Sequence, residues 1–321
     1  MIIVTGGAGF IGSNLVRGLN DNGRGDILIV DNLSNAAKCR NLCGLDVMDL
    51  SDKEDFAADL KKGAFNYEDI DVIFHQGACS DTMAEDGRYV MRNNYEYGKQ
   101  LLHFCLERRI PFIYASSASV YGDGKNGFRE SKECEQALNA YALSKLFFDR
   151  YVERLLPRAH SQVVGLRYFN VFGPQENHKG KMASMLYKMY RQMRAGGALQ
   201  LFAGTDGYGD GEQRRDFIYV ADVVKINLFF WRAAKTSGIF NCGTGEANTF
   251  NALAKAVLKH FQSGRVEYVP FPEELSGKYQ SHTRADTAKL LAAGYDEGFV
   301  PLERAAAEYC RLLDASDGYF R

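Results

Sequence analysis

The 321-residue sequence predicts an α/β protein: a doubly wound parallel sheet joined to a second, smaller α/β lobe. Three observations predict it. Short β-branched runs recur through the first half with helical stretches between them, a glycine-rich turn follows the first run directly, and the pattern changes after Asn170. Alternating strand and helix requires parallel pairing with right-handed crossovers.

In chain order, the predicted strands are residues 2–5, 27–30, 72–75, 112–116 and 163–167. Among the intervening helices, 51–62 opens with Ser51 and Glu54 at capping-box spacing, and 89–109 carries apolar residues three and four apart. Beyond Asn170 come a loop containing Gly and Lys, a helix over 182–194 and the polar stretch 204–215, which begin the second lobe. Residues 217–220 read as a strand and 222–231 as a helix returning to the first lobe. The expected domains are therefore 1–170 with 216–241, and 171–215 with 242–321. No internal repeat or low-complexity segment is visible.

Basic and acidic residues nearly cancel, leaving a formal net charge of -1, so the molecule as a whole has no electrostatic footprint for nucleic acid or an anionic membrane. An anionic ligand must meet a local basic patch. No run of about 20 apolar residues could cross a bilayer, and a first strand starting at Met1 or Ile2 leaves no room for a signal segment. The seven cysteines are odd in number and lack a Cys-x-x-Cys pair, which fits reduced, packed thiols in the cytoplasm. Cys39 and Cys43 have no nearby His or Cys pair to complete a ligand set, so no metal is expected.

The turn Gly6-Gly7-Ala8-Gly9-Phe10-Ile11-Gly12 satisfies both Gly-x-Gly-x-x-Gly and the wider Gly-x-x-Gly-x-x-Gly spacing through Gly6, Gly9 and Gly12. Glycines let the backbone approach a pyrophosphate whose charge sits at a helix N-terminus. The motif is weak alone and strong between a strand and a helix. Asp31 ends the second strand roughly twenty residues on, where a carboxylate accepts from the adenosine ribose and favours NAD. Lys38 and Lys53 follow, and a cation there accommodates the extra phosphate of NADP; the competing reading makes both solvated surface charges. Asp31 as an ordinary turn residue is the bland alternative.

Tyr141 and Lys145 stand four residues apart, on one face of a predicted helix. A free phenol with pKa about 10 is a poor base. A neighbouring ammonium favours phenolate, so the pair can take a hydroxyl proton as hydride leaves carbon. The preceding Tyr114-Ala115-Ser116-Ser117-Ala118-Ser119-Val120-Tyr121-Gly122 ends a parallel strand, where ligands of open α/β sheets bind. Ser117 is the choice for holding the reacting oxygen, with Ser116 as competitor and simple capping as the alternative role.

Together these residues resemble the extended short-chain dehydrogenase/reductase family, and within it most closely the branch that inverts C6 of an ADP-linked heptose. The resemblance runs from Met1 to about Asp314. It rests on His75-Gln76-Gly77-Ala78-Cys79-Ser80, Asn93-Asn94-Tyr95, Arg167-Tyr168-Phe169-Asn170-Val171-Phe172-Gly173-Pro174, His178-Lys179-Gly180, Arg214-Arg215-Asp216-Phe217, Phe271-Pro272 and Gly277-Lys278-Tyr279-Gln280. It implies a Rossmann lobe with a smaller α/β substrate-binding lobe. The implied cofactor is NADP, with NAD possible, held by Phe10, Ile11, Asp31, Asn32, Lys38, Lys53, Gln76, Gly77, Ala78, Cys79, Ser80, Asn93, Tyr141, Lys145 and Val171.

The resemblance further implies oxidation of the sugar alcohol at C6, reorientation of the ketone and return of the hydride to its other face. Tyr141 then serves one face and Lys179 the other, although a lysine acts as a base only if desolvation or a nearby cation lowers its pKa. Lys179 as a plain phosphate or solvent contact is the alternative. Asn170 should meet the sugar, Arg215 and Tyr279 the diphosphate, and Phe202, Ala203, Gly204, Thr205 and Lys188 the remainder of the substrate. An ion pair between Arg215 and Asp216 is the competing reading of that arginine. Lys181 stands where the resemblance leads one to expect a small residue, and it too is expected near the substrate. A homo-oligomer, pentameric by resemblance, and a role in supplying heptose to the lipopolysaccharide inner core are implied in the same way.

Two other functions fit parts of the sequence. A UDP- or dTDP-hexose 4-epimerase or 4,6-dehydratase shares the motifs, but dehydratases add an acidic residue beside the serine, and here Ala118 and Ser119 follow Ser117. A non-catalytic nucleotide-binding redox sensor has no need of Tyr141 and Lys145 together.

Overall fold

The computed structural model describes residues 1–65, 69–273 and 279–320. β1 (Ile2–Thr5) leads through α1 (Phe10–Asp21) to β2 (Ile27–Asp31), β3 (Asp49–Asp52) and α2 (Lys53–Lys62). β4 (Val72–His75), α3 (Gly87–Met91), α4 (Tyr97–Arg108), β5 (Phe112–Ser117), α5 (Ala140–Leu155) and β6 (Val163–Tyr168) follow. The chain continues through β7 (Asn170–Phe172), α6 (Met185–Gly196), β8 (Ala198–Phe202), β9 (Arg214–Arg215), β10 (Phe217–Tyr219) and α7 (Val220–Arg232). β11 (Gly238–Cys242), β12 (Asn248–Thr249), α8 (Phe250–Phe261), β13 (Arg265–Val269), α9 (Ala288–Ala292) and α10 (Leu302–Ser316) complete it.

Seven strands form one parallel sheet in the order β11-β6-β5-β4-β1-β2-β3. The winding reverses between β1 and β4, and their carboxyl ends diverge there to leave a crevice, as doubly wound sheets require. Every residue of β1, β2 and β4 is buried, because helices cover both faces. Strand alternation divides the core: Ile2 and Val4 pack with Leu15 of α1 and Ile226 of α7, whereas Ile3 packs with Leu101 of α4 and Phe148 of α5. Leu290 of α9 and Tyr295 join the first of these clusters. A separate cluster lies among α6, α8, α10 and the parallel pair β8 and β13.

Several local expectations are corrected. Residues 49–52 form an edge strand whose Asp49, Ser51 and Asp52 give it no β-branched signature. Ser51 lies inside that strand, so the cap of α2 is Asp52, which accepts from the Glu54 N–H at 2.7 Å. The helix predicted over 89–109 is divided into α3 and α4 by a π turn at Arg92–Glu96. The helix predicted from 182 starts at Met185, with Ser184 as its cap. Phe217–Tyr219 stays outside the main sheet and pairs in parallel with β7.

The glycine turn is backbone packed on backbone. Gly6 has φ +69°, and a Cβ on Gly12 would stand 2.0 Å from the Gly6 carbonyl oxygen. No helix among the described residues is long and apolar enough to cross a membrane. Gly12→Ala is expected to destabilise the fold by about 1–3 kcal/mol or more through overpacking. Chemical denaturation checks this, and an unchanged midpoint would contradict the contact.

Candidate active site

The carboxyl ends of β1, β2, β4 and β5 open onto a cavity of about 620 Å³. At one end α1 begins with Gly9 as its cap, with no capping side chain and no acidic residue in its first turn. Its free N–H groups therefore suit an anion. Asp31, 6% exposed, accepts from the Ala8 N–H at 3.0 Å and from Lys38 Nζ at 2.9 Å. Lys53 Nζ donates to Asn93 Oδ1 at 2.5 Å. Both lysines border the cavity, as does every other residue expected at the cofactor, including Gly6, Gln76, Cys79 and Val171. A glycine turn, an open helix N-terminus and a carboxylate paired with one ammonium group fit a dinucleotide.

α5 carries Tyr141 and Lys145 to the same cavity, with Asn139 capping the helix by accepting from the Ala142 N–H at 2.8 Å. Burial pushes the Tyr141 phenol above its ordinary value, and a hydrogen bond with Ser117 opposes that rise. Lys145 is 4% exposed and donates to the Ala115 carbonyl at 2.7 Å. Burial pushes its ammonium down to about 8, against the attraction of Asp149 and Cys79. The two candidate serines separate cleanly. Ser116 is buried and donates to Asp149 at 2.8 Å, whereas Ser117 reaches Tyr141 while also capping the Ala118–Tyr121 turn.

Lys179 borders this cavity and a second one of about 500 Å³. Its ammonium lies 5.0 Å from the centre of the Phe10 ring. Burial lowers its pKa, Lys188 lowers it further, and Glu176 opposes both. The second cavity is walled by Asn170, Lys188, Phe202, Arg215 and Tyr279. Arg215, 6% exposed, lies 4.7 Å from the Tyr279 ring centre and 5.5 Å from that of Phe250. The Asp216 carboxylate is occupied elsewhere, by the Thr244 N–H and hydroxyl and the Gly245 and Ala285 N–H groups at 2.7–3.0 Å. Among the described residues no carboxylate comes within ion-pair distance of Lys179, Lys188 or Arg215. Cations without a direct carboxylate partner in a pocket suit an anion.

Some expected residues are not brought in. Lys181 is exposed and borders neither cavity. Ala203, Gly204 and Thr205 lie outside both walls: the Ala203 carbonyl turns to Gln213 Nε2 at 2.9 Å, and the Gly204 N–H turns to Asp210 at 2.8 Å. Gly277 and Lys278 fall outside the described residues. Conversely, sequence reasoning gives no role to Asn94, His178 or Gln280. Asn94 bonds both polar groups of the Cys79 backbone and the Ser144 hydroxyl, at 2.8–3.0 Å, tying the loop after β4 to α5. His178 and Gln280 border the dinucleotide cavity. All three sit within the motifs quoted above, so position in a motif was the available signal.

Residues 2–243 match the NAD dependent epimerase/dehydratase family. The chain belongs to that family. A relative in Brachyspira hyodysenteriae, ADP-L-glycero-D-manno-heptose-6-epimerase, is 52% identical over 321 residues, covering 99% of each chain. The crystal structure of the Helicobacter pylori ADP-L-glycero-D-manno-heptose-6-epimerase is 31% identical with a TM-score of 0.83, over 98% of this chain and 96% of that one. The Thermus thermophilus UDP-glucose 4-epimerase in complex with NAD is 26% identical with a TM-score of 0.79, over 98% and 99%. The family thus agrees with the dinucleotide crevice read from geometry.

Removing Arg215 should cost the second cavity its buried cation. Arg215→Met is expected to weaken ADP binding by about tenfold or more, the scale of a lost charge-assisted hydrogen bond. Calorimetry with ADP checks this, and wild-type affinity would remove Arg215 from the anion site.

Proposed function

We propose that this chain inverts C6 of ADP-D-glycero-D-manno-heptose to give ADP-L-glycero-D-manno-heptose, with NADP as its resident cofactor. One observation carries the reading: Lys179, desolvated on its own loop, borders the cavity that holds Ser117, Tyr141 and Lys145 and also the pocket that holds Lys188 and Arg215. A proton-transferring group on a second element is what inversion needs and simple reduction does not. The name of the 52% identical relative supports the heptose.

When bound, the nicotinamide supplies a hydride acceptor that becomes the donor for the return. Gly6, Gly9 and Gly12 let the backbone approach the pyrophosphate, and Asp31, Asn32, Lys38 and Lys53 hold the adenosine end. Asp31 is already neutralised by Lys38 and the Ala8 N–H, which favours a ribose carrying phosphate over one carrying a bare hydroxyl. Ser117 holds the reacting oxygen, Tyr141 removes and returns the hydroxyl proton, and Lys145 favours the phenolate. Lys179 serves the other face. Asn170 meets the sugar, while Arg215, Tyr279 and Lys188 hold the diphosphate. In this reading residues 1–170 and 216–241 form the cofactor half, and 171–215 and 242–321 the substrate half. Family resemblance extends the reading to a cytoplasmic homo-oligomer, pentameric in that group, that supplies heptose for lipopolysaccharide.

Incubating the purified protein with ADP-D-glycero-D-manno-heptose and following C6 by NMR should show inversion without added cofactor, while UDP-glucose stays unchanged. Denaturing the same batch should release NADP. Tyr141→Phe and Lys179→Met should each slow turnover by roughly 10²- to 10⁴-fold with nucleotide still bound. Turnover of UDP-glucose in place of the heptose would establish the 4-epimerase reading instead.

A further inference from the structure

Asp149 lies one helical turn beyond Lys145 and has no exposed surface. Its Oδ1 accepts from the Tyr114 hydroxyl at 2.9 Å, and its Oδ2 accepts from the Ser116 hydroxyl at 2.8 Å and from Arg167 Nε at 2.8 Å. Tyr114 and Ser116 are alternate residues of β5, so they point to the same face of the sheet. Between them sits Ala115, whose carbonyl receives Lys145 Nζ at 2.7 Å, and after them comes Ser117. One carboxylate therefore fixes the strand bearing Ser117 against the helix bearing Tyr141 and Lys145. The neighbouring strand makes room for this. Gly165 of β6 is the register partner of Tyr114, and a Cβ there would stand 2.4 Å from the Tyr114 hydroxyl.

We propose that Asp149 is the positioning residue of the site: it sets the register between Ser117 and the Tyr141–Lys145 pair and keeps Lys145 charged. The inference rests on the catalytic reading of Tyr141 and Lys145 given above. A buried ammonium beside a neutral carbonyl has lost its hydration, and only an opposite charge keeps it protonated. The charged and titratable groups around it are few. Lys145 faces Asp149 and Tyr141 on its own helix, His75 of β4 and Cys79 of the following loop. Asp149 in turn faces Arg167 of β6 and Tyr114 of β5, with Glu153 on its own helix and Glu135 and Tyr121 beyond the arginine. Arg167 is held by Glu135 at 2.6 Å and Tyr121 at 3.0 Å, so it stays in place when Asp149 changes.

The sign follows. Asp149→Asn removes a charge that raises the Lys145 pKa and leaves the Arg167 charge less compensated, and both changes favour the neutral amine. The alkaline limb of the kcat profile should move to lower pH by about one unit, with cofactor still bound. Asp149→Glu, which retains the charge, should restore the limb. The double variant Tyr114→Phe, Ser116→Ala keeps the carboxylate on Arg167 but frees the strand, and it should lower kcat while leaving the limb where it is. A wild-type profile in Asp149→Asn overturns the charge role. Wild-type kcat in the double variant overturns the positioning role, and that arm stands even if Asp149→Asn does not fold. Tyr141→Phe, assayed alongside, separates the two readings: if it is active, the catalytic reading fails, whereas an inactive Tyr141→Phe beside an unaltered Asp149→Asn defeats this inference alone.

Discussion

Taking a lysine ammonium out of water is the constraint on which the site rests. Burial of an unpaired charge costs several kcal/mol in real proteins, so a buried Lys145 is tolerated only where fixed polar groups replace its hydration. α5 provides that environment by burying Ala142, Ser144, Lys145, Leu146, Phe148, Asp149 and Val152 along one side. The apolar members pin the helix to the sheet, and the polar members receive the strand-end groups of β5. β5 lies between β4 and β6 in the sheet, and its carboxyl end brings the carbonyl of half-buried Ala115 to the edge of the cavity, where Lys145 meets it. α5 and the central strand are thus one electrostatic unit.

The substrate side is built on the reverse principle. Lys179, Lys188 and Arg215 are drawn into a pocket where no carboxylate among the described residues stands within ion-pair distance of them; Glu176 acts on the two lysines from farther off, and Asp216 is diverted into bonds with the 244–245 turn and Ala285. The pocket carries a local positive field in a molecule of net charge -1. Cations held this way are destabilising until an anion arrives, which converts desolvation already spent into selectivity for an anion.

Much of this was legible in the sequence because the chemistry sits in short contiguous motifs. The glycine turn, Asp31, the Ser117 strand end and Tyr141-x-x-x-Lys145 each require fixed spacing along one element, and the structure brings all of them to the cavity of about 620 Å³. What was not legible depends on contacts between distant segments. β3 is a polar edge strand whose identity comes from pairing with β2. The capping site of α2 moved one residue because the preceding strand ran on to Asp52. Ala203, Gly204 and Thr205 border neither cavity, and Gln213 and Asp210 engage the backbone of the first two. Asp149 looks like one more polar helical residue until β5 and β6 bring Tyr114, Ser116 and Arg167 to it.

Burial acts in opposite directions on the two proton-handling groups. It raises the Tyr141 phenol and lowers the Lys179 ammonium, in each case favouring the uncharged form. To act as a base each group must first lose its proton and to act as an acid it must hold it, so burial hinders the phenol as a base and helps the lysine. Inversion demands that each group play both parts, one on the way out and the other on the return. Burial moves Lys179 toward neutral pH, where a group transfers protons best in both directions, and moves Tyr141 away from it, a rise that the hydrogen bond with Ser117 opposes. The face that receives hydride is set by the turn of the ketone, and a turned ketone presents its oxygen to a different part of the cavity. Tyr141 on α5 and Lys179 on the loop that follows β7 border that cavity from different elements, which is what the proposed inversion requires of them.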